Sequence, residues 1–205
     1  VLLEDFIHGL AASRPKAQKQ ILPPGPAVAR GPFALEEDRP ITTTRLVRRL
    51  DESLDDETIV IADVGDALFA SSELVIRGQT EFLSPAYYTS MGFAVPAAVG
   101  AKMARPDLKT IALVGDGAFQ MTGMELSTII KHQLAATIIV LDNGGYGTER
   151  LIHEGMFNNI NAWQYQMLPQ VLGGGKGYEV RTEGEFDIAF SESLSNETEV
   201  SLIRV

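Results

Sequence analysis

Cysteine is absent from the 205 residues, which excludes both a disulfide framework and thiolate chemistry. Histidine is scarce: His8, His132 and His153 are the only three, and none adjoins another. Basic residues are outnumbered, 17 Lys and Arg against 27 Asp and Glu, for a formal net charge of −10. With no basic run or patch, nucleic acid is not an expected partner. Long apolar runs are missing too. None approaches the roughly 18 residues of a membrane span, so no membrane partner is expected. The first residues are acidic and amphipathic rather than basic and then apolar, so no signal peptide is expected and a cytoplasmic location is. The chain opens on Val1 rather than Met, as a piece of a longer protein would. What remains, 45% hydrophobic and 21% charged residues, is an ordinary globular composition with enough chain for one substantial core.

Residues 1–14 carry Leu3, Phe6, Ile7 and Leu10 at helical spacing. They predict a short amphipathic helix, either docked on the domain or the tail of a preceding one. Six of the ten prolines then fall within residues 15–40, mixed with Lys, Gln, Ala and Gly. That is a linker composition, and it favours the second reading of the helix. The folded pattern starts at residue 41 and continues to 205. Thr42 to Thr44 can cap a helix bearing Leu46, Val47, Leu50 and Leu54. Buried strands are expected at 58–62, 110–114 and 137–141, each a continuous apolar run. Residues 82–88, 177–180 and 199–205 predict further strands. Helices are expected over 92–104 and 183–194, and after Gly117 on Leu126, Ile129, Ile130 and Leu134. Strands alternating with helices predict an α/β fold, a three-layer α/β/α domain with a largely parallel sheet.

The chemistry concentrates between Val114 and Glu149. The strand at 110–114 ends in Gly115-Asp116-Gly117, and the strand at 137–141 ends in Asp142-Asn143-Gly144-Gly145. Asp116 and Asn143 thus close two strands at the edge where open α/β sheets bind ligands. Asp116 offers a charged oxygen, Asn143 an amide oxygen and Gly145 a backbone carbonyl with no side chain in the way. With two phosphate oxygens and a water, these would complete a magnesium shell. A third acidic, glycine-bearing turn, Asp63-Val64-Gly65-Asp66, follows the strand at 58–62.

Gly-Asp-Gly followed 27 residues later by Asn and a glycine-rich turn resembles the diphosphate-binding motif of thiamine-diphosphate enzymes. Within that family the stretch from about residue 41 onward is similar to the C-terminal pyrophosphate-binding domain of the pyruvate and indolepyruvate decarboxylases. An Asn159-Ile160-x-x-Trp163 arrangement strengthens the likeness. The resemblance implies thiamine diphosphate and Mg2+ as cofactors, with Asp116, Asn143 and the Gly145 carbonyl as metal ligands. It implies cofactor contacts from Asp66, Thr89, Met91, Gly115, Asp116, Gly117, Ala118 and Phe119, and from Asn143, Gly145, Tyr146, Gly147 and Thr148. By composition alone Met91 is a core residue; the resemblance makes it the wedge that bends the cofactor. Glu149 alone would be a solvated residue in the first turn of a helix. Four positions after Gly145, it matches the decarboxylases' active-site Glu and becomes the catalytic candidate for proton transfer. Asp142 departs from the family, which often has a second Asn there, and adds a negative charge.

The activity so implied is non-oxidative decarboxylation of a 2-oxo acid to an aldehyde. Which 2-oxo acid stays open. An acetolactate synthase-like carboligase, the small subunit of a split decarboxylase and a non-catalytic diphosphate-binding module are the alternatives. The family's activating Glu and His pair lie in a separate pyrimidine-binding domain. That domain, of the same or a partner subunit, is therefore an expected partner, and the full-length enzyme is expected to be a homo-oligomer.

Overall fold

The computed structural model describes residues 3–13, 31–76 and 78–205. It divides into a unit of residues 1–32 and a unit of residues 33–205. In the first, helix α1 (Leu3–Ser13) presents Leu3, Phe6, Ile7 and Leu10 along one stripe, all exposed. Residues 1, 2 and 14–30, which include most of the expected linker, lie outside the described residues.

The second unit runs α2 (Thr43–Asp51), β1 (Thr58–Ala62), α3 (Asp66–Ser71), β2 (Glu81–Leu83) and α4 (Ala94–Ala104). It continues β3 (Lys109–Gly115), α5 (Asp116–Thr122), α6 (Leu126–Lys131), β4 (Thr137–Leu141) and α7 (Gly147–Arg150). It closes with α8 (Leu168–Val171), β5 (Lys176–Glu179), α9 (Glu183–Ser195) and β6 (Ser201–Arg204). The six strands form one sheet in the order β2-β1-β3-β4-β6-β5, every pair parallel.

The sheet is covered on both faces, which is why its central strands are apolar at every position rather than at alternate ones. Ile59, Ile61, Ala112, Val114, Ile138 and Val140 pack with residues of α4, α5 and α6. Val60, Ile111, Leu113, Ile139 and Leu141 pack with residues of α2, α3 and α9. The chain leaves β1 toward β2 on one side and leaves β3 toward β4 on the other. The strand order therefore reverses between β1 and β3, and a crevice opens beyond their carboxyl ends.

Two elements differ from the sequence pattern. The helix expected after Gly117 breaks at Thr122, where φ is −137° and ψ is 0°, and resumes as α6 after a 3-10 turn over Gly123–Glu125. The Phe119 ring lies over Gly123, and the Thr122 hydroxyl donates to the Gly92 carbonyl at 2.7 Å, so packing and a distant hydrogen bond override helical continuity. The strand expected over 82–88 is only Glu81–Leu83. Beyond it Tyr87 and Tyr88 stand in solvent, 91% and 81% exposed.

Residues 33–40, proline-bearing and read as the end of a linker, are tied to the start of α9. Glu183 and Gly184 donate their N–H groups to the Arg39 and Glu37 carbonyls at 2.9 and 3.1 Å. The Glu183 carboxylate is buried and paired with Arg45, whose Nε donates to it at 2.6 Å and whose Nη2 donates to its other oxygen. That Nη2 also donates to the Ala34 carbonyl at 2.6 Å, and the guanidinium stacks 4.2 Å from the Phe33 ring centre.

Removing one partner of a buried ion pair leaves the other charge uncompensated. Glu183→Ala should lower the unfolding free energy by about 3 kcal/mol in urea titrations near neutral pH. The hydrogen bond from Arg45 is the main reason the Glu183 carboxyl sits below its ordinary range. The stabilisation is thus complete above the unfolded carboxylate pKa and is lost as the pH falls through the lowered folded value. The gap between wild type and variant should close in acid.

Candidate functional site

The crevice between β1 and β3 holds a cleft of about 230 Å3. Three strand-end turns build it: residues 63–66 after β1, 115–118 after β3 and 141–149 after β4. Thr89 and Met91 complete it from the segment ahead of α4. Asp66, Thr89, Met91, Gly115, Asp116, Gly117, Ala118, Asn143, Gly145, Tyr146, Gly147, Thr148 and Glu149 all line it. Phe119 does not. Its ring is fully buried in the core, edge-on to Tyr165 at 5.4 Å. Val64, Gly65, Phe69 and Leu141 also line the cleft. Sequence reasoning passed over them, although Val64 and Gly65 lie in the acidic turn it had singled out.

Asp116 is the centre of the arrangement. Its carboxylate is almost completely buried and accepts three backbone N–H groups: Gly117 on one oxygen at 2.7 Å, and Gly144 and Gly145 on the other at 2.7 and 3.0 Å. One side chain thereby binds the turn after β3 to the turn after β4. Burial pushes its pKa up to about 6; the Gly117 and Gly144 N–H groups oppose that rise, and the nearby Asp142 carboxyl adds to it.

The turn after β4 is also held from outside. Tyr146 donates its N–H to the Asn158 carbonyl at 2.9 Å, and Gly145 bridges Asn159. A Cβ on Gly145 would lie 1.9 Å from that carbonyl, and its φ of 142° disfavours side chains. Close backbone approach, more than access to a cation, explains the glycine. The charge that Asp142 adds is answered by Arg204 on β6, whose Nε donates to it at 2.6 Å.

Asp63, at the end of β1, is the residue the sequence reading missed. It is fully buried and accepts from the N–H groups of Val64, Gly92 and Ala94 at 3.0, 3.1 and 2.8 Å. Gly92, with φ of 85°, also accepts from Thr122. Met91 is therefore held from both sides at the foot of α4. Thr89 has φ of 51°, an uncommon backbone state for a β-branched residue. The one available signal was an Asp directly following a fully apolar strand, where burial requires partners.

Asp66 accepts from Asn143 Nδ2 at 2.9 Å. Glu149, in the short helix α7, is exposed, and its carboxylate has no hydrogen-bond or ion-pair partner among the described residues.

The residues suit a diphosphate held through a divalent cation. The cleft presents the carboxylates of Asp66, Asp116 and Glu149, and no Lys, Arg or His among the described residues lines it. Among the described residues no three His, Cys, Asp or Glu side chains are placed to hold a metal. A cation here would depend on Asp116, amide and carbonyl oxygens, and the ligand's own phosphates, the donor set magnesium takes.

Residues 63–205 match the family described as "Thiamine pyrophosphate enzyme, C-terminal TPP binding domain". The chain belongs to that family. Curated relatives include "Pyruvate decarboxylase" of Neurospora crassa, 33% identical over 172 residues, covering 82% of this chain and 30% of the relative. "Alpha-keto-acid decarboxylase" of Mycolicibacterium paratuberculosis is 31% identical over 178 residues, 85% of this chain and 32% of the relative. The protein of the same name from Mycobacterium tuberculosis H37Rv is 32% identical over 172 residues, 82% of this chain and 31% of the relative. The chain thus spans about a third of the length of these relatives. No helix among the described residues is long and apolar enough to cross a membrane.

The raised Asp116 pKa has a testable consequence without any ligand. The fold favours the protonated form, so this contribution to stability is present below about pH 4 and is lost as the pH rises through about 6. Asp116→Asn should flatten that fall in unfolding titrations between pH 4 and 7 without divalent cations.

Proposed function

We propose that the cleft binds thiamine diphosphate through Mg2+, and that the full-length protein decarboxylates a 2-oxo acid to an aldehyde. The observation that carries the proposal is the cleft's charge. Three carboxylates, with no basic side chain among the described residues that line it, would repel a diphosphate unless a divalent cation stood between. Asp116, Asn143 and the Gly145 carbonyl would hold the cation. Tyr146, Gly147 and Thr148, with Gly115 to Ala118, would line the diphosphate's seat. Magnesium and the choice of 2-oxo acid are part of the proposal; decarboxylation is favoured by the names of the relatives.

The chemistry supplied by the cofactor when bound is an electron sink for the departure of carbon dioxide. This chain's residues bind, orient and manage protons. Met91, fixed through Gly92 by Asp63 and Thr122, presents an apolar side chain to the cleft at a defined height. Glu149, which lines the cleft and is exposed, would hold or deliver a proton. A pyrimidine-binding domain from the same or a partner subunit would cover it. The assembly is proposed to be a cytoplasmic homo-oligomer. Residues 1–14 are proposed as the tail of a preceding domain, residues 15–40 as linker and 41–205 as the pyrophosphate-binding domain.

Calorimetry on the chain tests the reading. Thiamine diphosphate should bind only with Mg2+, and Asp116→Ala should remove that binding. Since the cation takes the ionised carboxylate, affinity should fall as the pH drops below about 6. The same chain, given several 2-oxo acids, should produce no aldehyde; Mg2+-independent binding or turnover would overturn this reading. In the full-length protein, Glu149→Gln should cut turnover by roughly a hundredfold or more, with little change in cofactor affinity.

A further inference from the structure

We infer that Asp66 is a positioning residue for the Asn143 amide rather than a contact to the diphosphate. The inference rests on the reading of Asp116, Asn143 and Gly145 as cation ligands. An ionised carboxylate only accepts hydrogen bonds, and so do phosphate oxygens, so a direct contact between them is repulsive. No basic side chain among the described residues lines the cleft to relieve it. Asp66 has a different partner in this structure. Its Oδ2 accepts from Asn143 Nδ2 at 2.9 Å, the only hydrogen bond of that amide side chain among the described residues. A carboxylate can pair only with the amide's NH2 end, so this bond fixes which way the amide is turned. The Asn143 oxygen is then left without a partner among the described residues, free for a cation.

The surroundings keep the pair in place. Asp66 opens α3, whose Ala67 and Ala70 are buried against the sheet, so its backbone cannot drift. Gly147 lies directly over the bond. A Cβ there would sit 2.6 Å from Asp66 Oδ2 and 2.8 Å from Asn143 Nδ2, so the missing side chain is what admits the bond. The oxygen set of a cation site is held here by a neighbour that need not touch the cation, and loss of such a neighbour weakens metal sites by about 10–100-fold.

The test uses the 205-residue chain with Mn2+ as probe and inorganic pyrophosphate as phosphate donor, free Mn2+ being counted by electron paramagnetic resonance. Asp116→Ala should abolish Mn2+ retention. Asp66→Ala should weaken it about tenfold or more. Asp66→Asn, whose side-chain oxygen can still accept from Asn143, should come back to within about threefold of wild type. The Asn143 side-chain 15N–1H resonances should shift in Asp66→Ala and much less in Asp66→Asn, a readout independent of binding. Unchanged or tighter binding by Asp66→Ala, or equal loss in Asp66→Ala and Asp66→Asn, would overturn the positioning role while leaving the cation reading intact. Retention by Asp116→Ala at the wild-type level, or none by the unaltered chain at millimolar Mn2+, would instead overturn the cation reading beneath it.

Discussion

The site depends on one buried carboxylate. Asp116 gives up its hydration at the end of β3 and recovers it as three backbone N–H bonds, two of them from the turn after β4. Without that anion, the N–H groups of Gly144 and Gly145 would have no acceptor, and the turn would have no reason to lie against β3. The arrangement is preorganised: the backbone that must surround a ligand is already ordered by the protein's own charge. The same burial raises the pKa of Asp116, so a cation at this point would find a carboxyl ready to exchange its proton.

The distribution of the few cations follows the same logic. Arg45 and Arg49 are engaged with Glu183 and Asp187, and Arg204 neutralises Asp142 in the turn after β4. None lines the cleft. An acidic chain that kept its arginines for structural pairs would leave its strand-end cleft negative, and only a metal-escorted anion would enter it readily. Arg204 lets Asp142 stand beside Asp116 and Asn143 with its charge already matched. The departure from a second Asn is therefore structurally compensated.

Much of this was legible in the sequence, for a physical reason. Strands covered on both faces are apolar throughout, so β1, β3 and β4 announced themselves, and the residues ending them were by position the ligand edge. What stayed hidden depends on partners far apart in the chain. Asp66 meets Asn143 across 77 residues, and Arg204 meets Asp142 across 62. Neither pairing leaves a local pattern. The break at Thr122 is of the same kind: Leu126 and Ile129 show helical spacing beyond it, while the Thr122 hydroxyl answers to Gly92. The side chain of Phe119 lies in the core because α5 turns that position of the motif away from the cleft.

Met91 shows how an apolar side chain can be held as firmly as a polar one. Methionine is flexible, and nothing in its own chemistry fixes it. Its backbone is fixed instead. Asp63 takes the N–H of Gly92 and caps the start of α4 through Ala94, and Thr122 takes the Gly92 carbonyl from the other side. Two residues before it, Thr89 keeps a left-handed backbone that costs on the order of 1–3 kcal/mol and persists only under constraint. Met91 thus lines the same cleft as the Asp116 turn, on a segment that carries this uncommon backbone state beside two clamps. A cofactor lying across both would then take its bend from backbone hydrogen bonds made far beneath the side chain that touches it.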